Sequence, residues 1–309
     1  MTNILGDMTP SRFLDQHWQR VPLLVRGALR DLTTAMTSAD LIDLAMDADV
    51  ESRIIAHHGA DSRWEMRQGP FLRDDFRSMP EVDWTLLVQA VDLWVPRTRS
   101  ILQHFDFLPP WRLDDIMASY AVEGGSVGPH FDQYDVFLLQ VEGRRRWQIG
   151  AACPPDSALL ADCDLSLLAD FRPQQEWLLE PGDMLYLPPR IAHWGVAETP
   201  CITYSVGFRS PTLADMLGDL AIELSAQGNV EHYFDPRLTP EMAGTTIHQA
   251  FVEQAKRQLH DLIDDDALIA EWFARFMTAA KYPSLVDRTG ERRAARINGR
   301  RYQNGDDLD

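Results

Sequence analysis

His130 and Asp132 stand two residues apart in the run Gly128-Pro129-His130-Phe131-Asp132-Gln133-Tyr134-Asp135-Val136-Phe137. Extended backbone has a side-chain period of two, so this imidazole and carboxylate project from one face and can grip a single metal ion. His193, in Pro188-Pro189-Arg190-Ile191-Ala192-His193-Trp194, is the candidate third ligand. Two histidines and one carboxylate occupy one face of the ion and leave the other open, a donor set that suits Fe(II) and dioxygen chemistry. Zinc with a bound water is the competing occupant and would point to hydrolysis. Hydrolysis needs a general base, and the odd offset of Asp135 from His130 turns that carboxylate to the opposite face.

Arg145 carries a second signal. It is the middle residue of Arg144-Arg145-Arg146, on the extended run that follows the His130 strand. The expected turn at Glu142-Gly143 is a hairpin that lays this run back alongside the His130 strand. Alternation then sends Arg145 the opposite way from both neighbours. A guanidinium inside a barrel needs an anion to meet it. A dicarboxylate such as 2-oxoglutarate would do so by a bidentate contact, which the zinc reading leaves unexplained.

The remaining histidines lack such spacing. His57-His58 precede Gly59 and are expected to decorate a loop, and His17, His104, His232, His248 and His260 occur singly. Cys153, Cys163 and Cys201 form no C-x-x-C pair and are expected to be small buried apolar groups rather than disulfides or zinc ligands.

Short extended runs at about 116–122, 130–140, 144–150, 176–180, 184–187, 193–198 and 201–207 must position these groups. Their spacing and turn signals predict a barrel or a jelly roll of two facing sheets, with a mouth suited to a small molecule. Upstream, Pro22–Val25 and Trp84–Ala90 are expected strands, Pro96–Phe105 suits a short helix, and Thr37 with Asp40 forms a capping box for a helix to about Met46. After Pro211 the period becomes helical: Leu213, Met216, Leu217, Leu220 and Leu224 make one stripe, and helices are expected at 245–263 and 266–280. Such a module is expected to bury its stripe against a second copy. The last stretch, 283–309, starts basic, ends acidic and is too short for a domain of its own.

At 309 residues the chain has room for more than one domain. No apolar run approaches the ~20 residues needed to span a bilayer, and no secretory signal is visible, so a cytoplasmic location without membrane contact is expected. A net charge of −18 argues against direct nucleic-acid binding and fits a basic partner.

Three stretches together, Gly124–Gln140 with Gly143–Trp147, Glu180–Pro189 and Tyr204–Arg209, resemble the bacterial JmjC-type ribosomal oxygenases. The resemblance implies a mainly β fold with α: a cupin-like double-stranded β-helix over 1–208, followed by a helical dimerisation domain over 209–282. It implies Fe(II) held by His130, Asp132 and His193, with 2-oxoglutarate held at its distal carboxylate by Arg145, assisted by Ser119, and dioxygen as the second cosubstrate. The implied reaction is 3-hydroxylation of an arginine in a basic large-subunit ribosomal protein, the sixteenth. Family members carry a winged-helix-like C-terminal domain, and 283–309 resembles only its start. A non-catalytic barrel that binds ribosomal proteins as an assembly factor, or a hydroxylase or demethylase of another protein, are the alternatives.

Overall fold

Between Leu113 and Phe208 the chain switches repeatedly between two facing antiparallel sheets. The computed structural model describes residues 3–29, 36–58, 63–228 and 231–309, in two compact units, Met1–Ser210 and Pro211–Asp309. The first unit holds β1 (Leu23–Val25), β2 (Ser52–His58), β3 (Arg63–Gln68), β4 (Trp84–Val88), β5 (Leu113–Ala121), β6 (Val136–Glu142), β7 (Arg145–Ala152), β8 (Gln175–Leu179), β9 (Met184–Leu187), β10 (Ile191–Ala197) and β11 (Cys201–Phe208). The large sheet runs β1-β9-β6-β11-β5-β4-β2-β3, and the small one β10-β7-β8. Two isolated bridges, Ser126↔Val196 and His130↔His193, add a fragmentary fourth strand on the free side of β10. This is the expected jelly roll.

Period-two alternation divides the large sheet between two tasks. Ile116 and Ala118, Phe137 and Leu139, and Tyr204 and Val206 face outward into the main core, with helices α1 (Pro10–Gln16) and α2 (Ser38–Ala45) contributing Phe13, Leu41 and Ala45. Phe137 sits 4.8–5.7 Å from the rings of Phe13, Phe105, Tyr186 and Phe208. The α2 capping box is formed as expected: the Asp40 N–H donates to Thr37 Oγ1, and the Thr37 N–H to Asp40 Oδ2. Alternate residues, among them Met117, Ser119, Leu138, Thr203 and Ser205, face the small sheet and line a cavity.

Three expectations need correction. Glu142-Gly143 is not a hairpin: β6 belongs to the large sheet and β7 to the small one, so the chain turns a corner there. Gly143 adopts φ +64°, and a Cβ on it would lie 2.1 Å from the Pro200 carbonyl oxygen, so the turn between β10 and β11 forces the bend. Residues 130–140 are not one strand either, since β6 begins at Val136. Gly128 at φ +82° and Pro129, which has no N–H, break the ladder, and the Asp132 carbonyl accepts from the Arg190 N–H at 2.6 Å instead of from a strand. Finally, His57 and His58 end β2 rather than sit in a loop; His57 stacks on Trp64 at 4.4 Å and His58 meets Glu65 at 3.1 Å. The β2–β3 pair extends the large sheet beyond the expected strands.

In the second unit α3 (Leu213–Ala226), α4 (Gln249–Ile263) and α5 (Asp266–Thr278) precede a small sheet of β12 (Ala294–Ile297), β13 (Arg300–Gln303) and β14 (Asp306–Asp307). Thr212, His248 and Asp265 cap the three helices, so His248 has a structural duty. Trp272 Nε1 donates to Asp219 Oδ1 at 2.8 Å, joining α5 to α3, and the sheet packs on α5. Of the stripe on α3, Leu220 is buried, but Leu213 and Leu217 remain 77% and 63% exposed. Among the described residues no helix is long and apolar enough to cross a membrane.

Candidate metal and cosubstrate site

His193 projects from β10 into the space between the sheets and is 3% exposed. The bridge to His130 brings the fragmentary strand against β10, and the next bend carries Asp132 to the same point. One donor atom from each of His130, Asp132 and His193 lies within 4.8 Å of the others, and the group contains no fourth donor. His193 Nε2 is 3.7 Å from Asp132 Oδ2, and the imidazole centroids are 4.3 Å apart.

Each imidazole is oriented by the backbone two residues before it. His130 Nδ1 donates to the Gly128 carbonyl at 2.9 Å and His193 Nδ1 to that of Ile191 at 2.8 Å. With Nδ1 carrying the proton, each Nε2 lone pair is left for a metal. Burial, then the neighbouring His130, pushes the His193 pKa down to about 4, so the ring stays neutral at physiological pH. Nearby, desolvation and the Asp132 carboxylate raise the pKa of Tyr134, so its hydroxyl stays protonated. Two neutral imidazoles and one carboxylate with open positions fit a divalent iron better than a closed structural zinc site.

Asp135 takes no part. It is fully buried on the far side, where it accepts from the Tyr186 hydroxyl at 2.6 Å and Gln19 Nε2 at 3.0 Å, and burial raises its pKa.

Arg145 is 2% exposed, whereas Arg144 and Arg146 face outward. It does not lie beside the His130 segment: it is on β7, paired with Ala197 of β10, the strand that carries His193. Its guanidinium donates to Ser119 Oγ at 3.2 Å and the Gly195 carbonyl at 3.3 Å, and lies 5.2 Å from the Trp147 ring centre. Nε has no partner, and among the described residues no carboxylate pairs with the group. Burial lowers its pKa, as desolvation does for a cation without a paired anion. Ser119 in turn donates to the Thr203 carbonyl at 3.3 Å.

A cavity of about 610 Å³ joins Arg145 and Ser119 to the three donors and continues to Asp115, Met117 and Tyr134. Sequence reasoning missed Trp147, whose ring lies 5.9 Å from that of His193. The signal was there, since Trp147 shares the inward face of β7 with Arg145. Gly195 was also missed: a Cβ there would lie 2.7 Å from two Trp147 ring atoms and 2.9 Å from Arg145 Nε.

A model of the JmjC domain matches residues 100–216, and one of an AraC-like ligand-binding domain matches 172–271. The ribosomal protein uL16 3-hydroxylase of Escherichia coli is 32% identical, over 96% of this chain and 84% of its own length. A probable ribosomal oxygenase of Haemophilus influenzae is 38% identical over 69% of this chain and 53% of its own. Solved structures of the E. coli ribosomal oxygenase YcfD align with TM-scores of 0.85, in complex with cobalt and 2-oxoglutarate, and 0.84, with cobalt and succinic acid. Each is 30% identical and covers 98% of this chain and 86% of the solved one. With a buried cation and three candidate metal donors in one jelly-roll cavity, the chain belongs to the JmjC-type ribosomal oxygenases, iron- and 2-oxoglutarate-dependent dioxygenases that hydroxylate proteins.

Proposed function

We propose that the chain hydroxylates C3 of an arginine in large-subunit ribosomal protein uL16. In this reading His130, Asp132 and His193 hold Fe(II), and Arg145 with Ser119 holds the distal carboxylate of 2-oxoglutarate. The observation that carries it is the buried Arg145 guanidinium, without a carboxylate partner among the described residues, in the same cavity as the three donors. When bound, iron supplies the activation of dioxygen that couples oxidation of the keto acid to insertion of one oxygen atom into a C–H bond.

The protein's part is binding and orientation. Arg145 fixes one end of the diacid, with its Nε as a further donor, and so turns the keto-acid end toward the three metal donors. The flanking Trp147 and Leu138 keep bulk water from the anchored carboxylate and so strengthen the charge contact. On the substrate side, Asp115 is a buried carboxylate on the cavity wall, already accepting from Gln89 Nε2 at 2.7 Å, with Met117 and Tyr134 nearby. This wall suits a guanidinium on an apolar stem, and a chain of net charge −18 suits a basic ribosomal protein.

The oxygenase reaction is assigned to 1–208 and pairing with a second copy to 209–282, with 283–309 as a winged-helix-like element. Supporting the pairing, Leu213, Leu217 and Ile222 on α3 and Leu259 and Ile263 on α4 are all exposed. The reaction is placed in the cytoplasm, without direct contact to nucleic acid or membrane.

The test is the intact mass of purified uL16 incubated with the chain, Fe(II), 2-oxoglutarate and ascorbate. Gain of one oxygen atom, located to an arginine by fragmentation and lost with His130→Ala, is expected. No gain with uL16, but gain on another protein, would reject the substrate; loss of a methyl group would mean demethylation. Unmodified proteins and no succinate formation under any condition would favour a non-catalytic binding barrel.

A further inference from the structure

We infer that the Ser126 hydroxyl is a positioning group that couples the His130 imidazole to the Arg145 guanidinium, so that the metal end and the cosubstrate end of the site are set together. The inference rests on the roles proposed above for His130 and Arg145.

The segment that carries His130 is held to β10 by two isolated bridges rather than a ladder, so its placement needs other support. Ser126, 3% exposed, supplies it. Its Oγ accepts from the Gly128 N–H at 3.0 Å and from Trp194 Nε1 at 2.9 Å, and donates to the Gly195 carbonyl at 2.7 Å. One donor and two acceptor positions are all that a hydroxyl has, so every position is used.

Both backbone partners lead to functional side chains. Gly128, whose N–H is held by Ser126, presents the carbonyl that accepts from His130 Nδ1 at 2.9 Å. Gly195, whose carbonyl takes the serine proton, uses that same oxygen to accept from Arg145 Nη2 at 3.3 Å. The path His130–Gly128–Ser126–Gly195–Arg145 is therefore made of hydrogen bonds, the Gly128 residue, whose N–H and carbonyl belong to adjacent peptide units, and one shared carbonyl oxygen, that of Gly195. Gly195 closes it tightly, because Arg145 and Trp147 occupy the space a side chain would take.

Removing the hydroxyl leaves the Gly128 N–H and Trp194 Nε1 without their acceptor and leaves the Gly195 carbonyl with Arg145 as its remaining side-chain donor. A purely structural serine would lower stability and leave both binding constants unchanged. A coupling serine moves both constants.

The experiment compares the wild-type chain with Ser126→Ala in three measurements. They are the Kd for Mn(II) by calorimetry without cosubstrate, the KM for 2-oxoglutarate at saturating Fe(II), and the melting temperature. Both Kd and KM are expected to rise, each by roughly tenfold, as for other groups that orient ligands from behind. A rise in only one constant would overturn the coupling, and a change in neither would overturn the positioning role altogether. Parallel titrations of His130→Ala and Arg145→Met separate this failure from that of the underlying site. If those variants leave the metal and cosubstrate constants unchanged, the roles assigned to His130 and Arg145 fall, and the coupling falls with them. Should Ser126→Ala melt below the assay temperature, Ser126→Cys carries the same test with smaller shifts in the same directions, since a thiol is the weaker donor and acceptor.

Discussion

Arg145→Met should make the ligand-free protein more stable and the enzyme much worse, and these opposite signs distinguish an anion anchor from a structural arginine. In the ligand-free site the guanidinium has two long hydrogen bonds, at 3.2 and 3.3 Å, and one aromatic ring at 5.2 Å. Neutral partners of this kind contribute about 1 kcal/mol each, and the ring roughly another 1 kcal/mol. Against this total of about 3 kcal/mol stands the cost of desolvating an uncompensated charge, of order several kcal/mol. Methionine fills a similar volume without that cost, so the net gain is about 1–2 kcal/mol, or a rise of roughly 2–8 °C in the melting temperature of a unit this size. The cosubstrate loses a charge-assisted bidentate contact of about 3 kcal/mol, and KM for 2-oxoglutarate should rise on the order of a hundredfold. The assay pairs thermal melts with and without Mn(II) and 2-oxoglutarate with succinate formation over a range of cosubstrate. The wild type should melt higher when 2-oxoglutarate is added, and the variant should not. A variant that melts lower than wild type when ligand-free, with KM unchanged, would show that Ser119, Gly195 and Trp147 already satisfy the charge, and the reasoning would fail.

Asp132→Ala removes the only carboxylate of the donor group and should abolish both Mn(II) binding by calorimetry and iron-dependent succinate formation; retained turnover would remove Asp132 from the site. Gly195→Ala places a methyl 2.7 Å from Trp147 and 2.9 Å from Arg145 Nε, so it should cost about 1–3 kcal/mol in urea unfolding and raise KM for 2-oxoglutarate; unchanged values would mean the strand gives way freely. His193 shifts from 6.5 to about 4 on folding, so between those values the unfolded chain binds a proton that the folded chain refuses. Its contribution to stability is complete above pH 6.5 and is lost as pH falls toward 4. Metal-free wild type should therefore weaken in urea from pH 7 to pH 5 more than His193→Gln does, and equal slopes for the two proteins would contradict the buried, neutral ring.

The clustering of His130, Asp132 and His193 was legible because imidazole and carboxylate announce their chemistry by type, and because these residues sit in short local patterns. Strand partnership was not legible in the same way. Whether Glu142-Gly143 makes a hairpin or a corner depends on Pro200, which meets Gly143 only after folding. The inward direction of Arg145 followed from alternation alone, yet its neighbour turned out to be β10 rather than the His130 segment. The β2–β3 pair carries a period-two signal in Trp64 and Met66, but the Gly59 that follows His57 and His58 points to a loop when read locally. Ser119 and Ser126 have no distinctive chemistry of their own. Only the guanidinium above one, and the full set of partners around the other, separate them from ordinary strand serines.

Stability and chemistry are carried by adjacent residues of the same strands, and this makes them separable by mutation. Phe137 packs outward among five aromatic rings, while Leu138 next to it faces the cavity. Tyr204 likewise anchors the outer core, where its hydroxyl accepts from the Met36 N–H at 2.7 Å, and Thr203 and Ser205 beside it line the cavity. Truncating Phe137 to alanine should cost about 3–5 kcal/mol of stability, because a large buried ring is lost. The inner face works under the opposite constraint. There a buried cation, a buried neutral imidazole and the space beside Gly195 all leave the ligand-free fold less stable than a filled apolar core would, a cost that metal and diacid would relieve under the proposed function. A one-residue slip of register would exchange the two faces, so the outer aromatic packing that stabilises the sheet also keeps Ser119 and Thr203 turned toward the site.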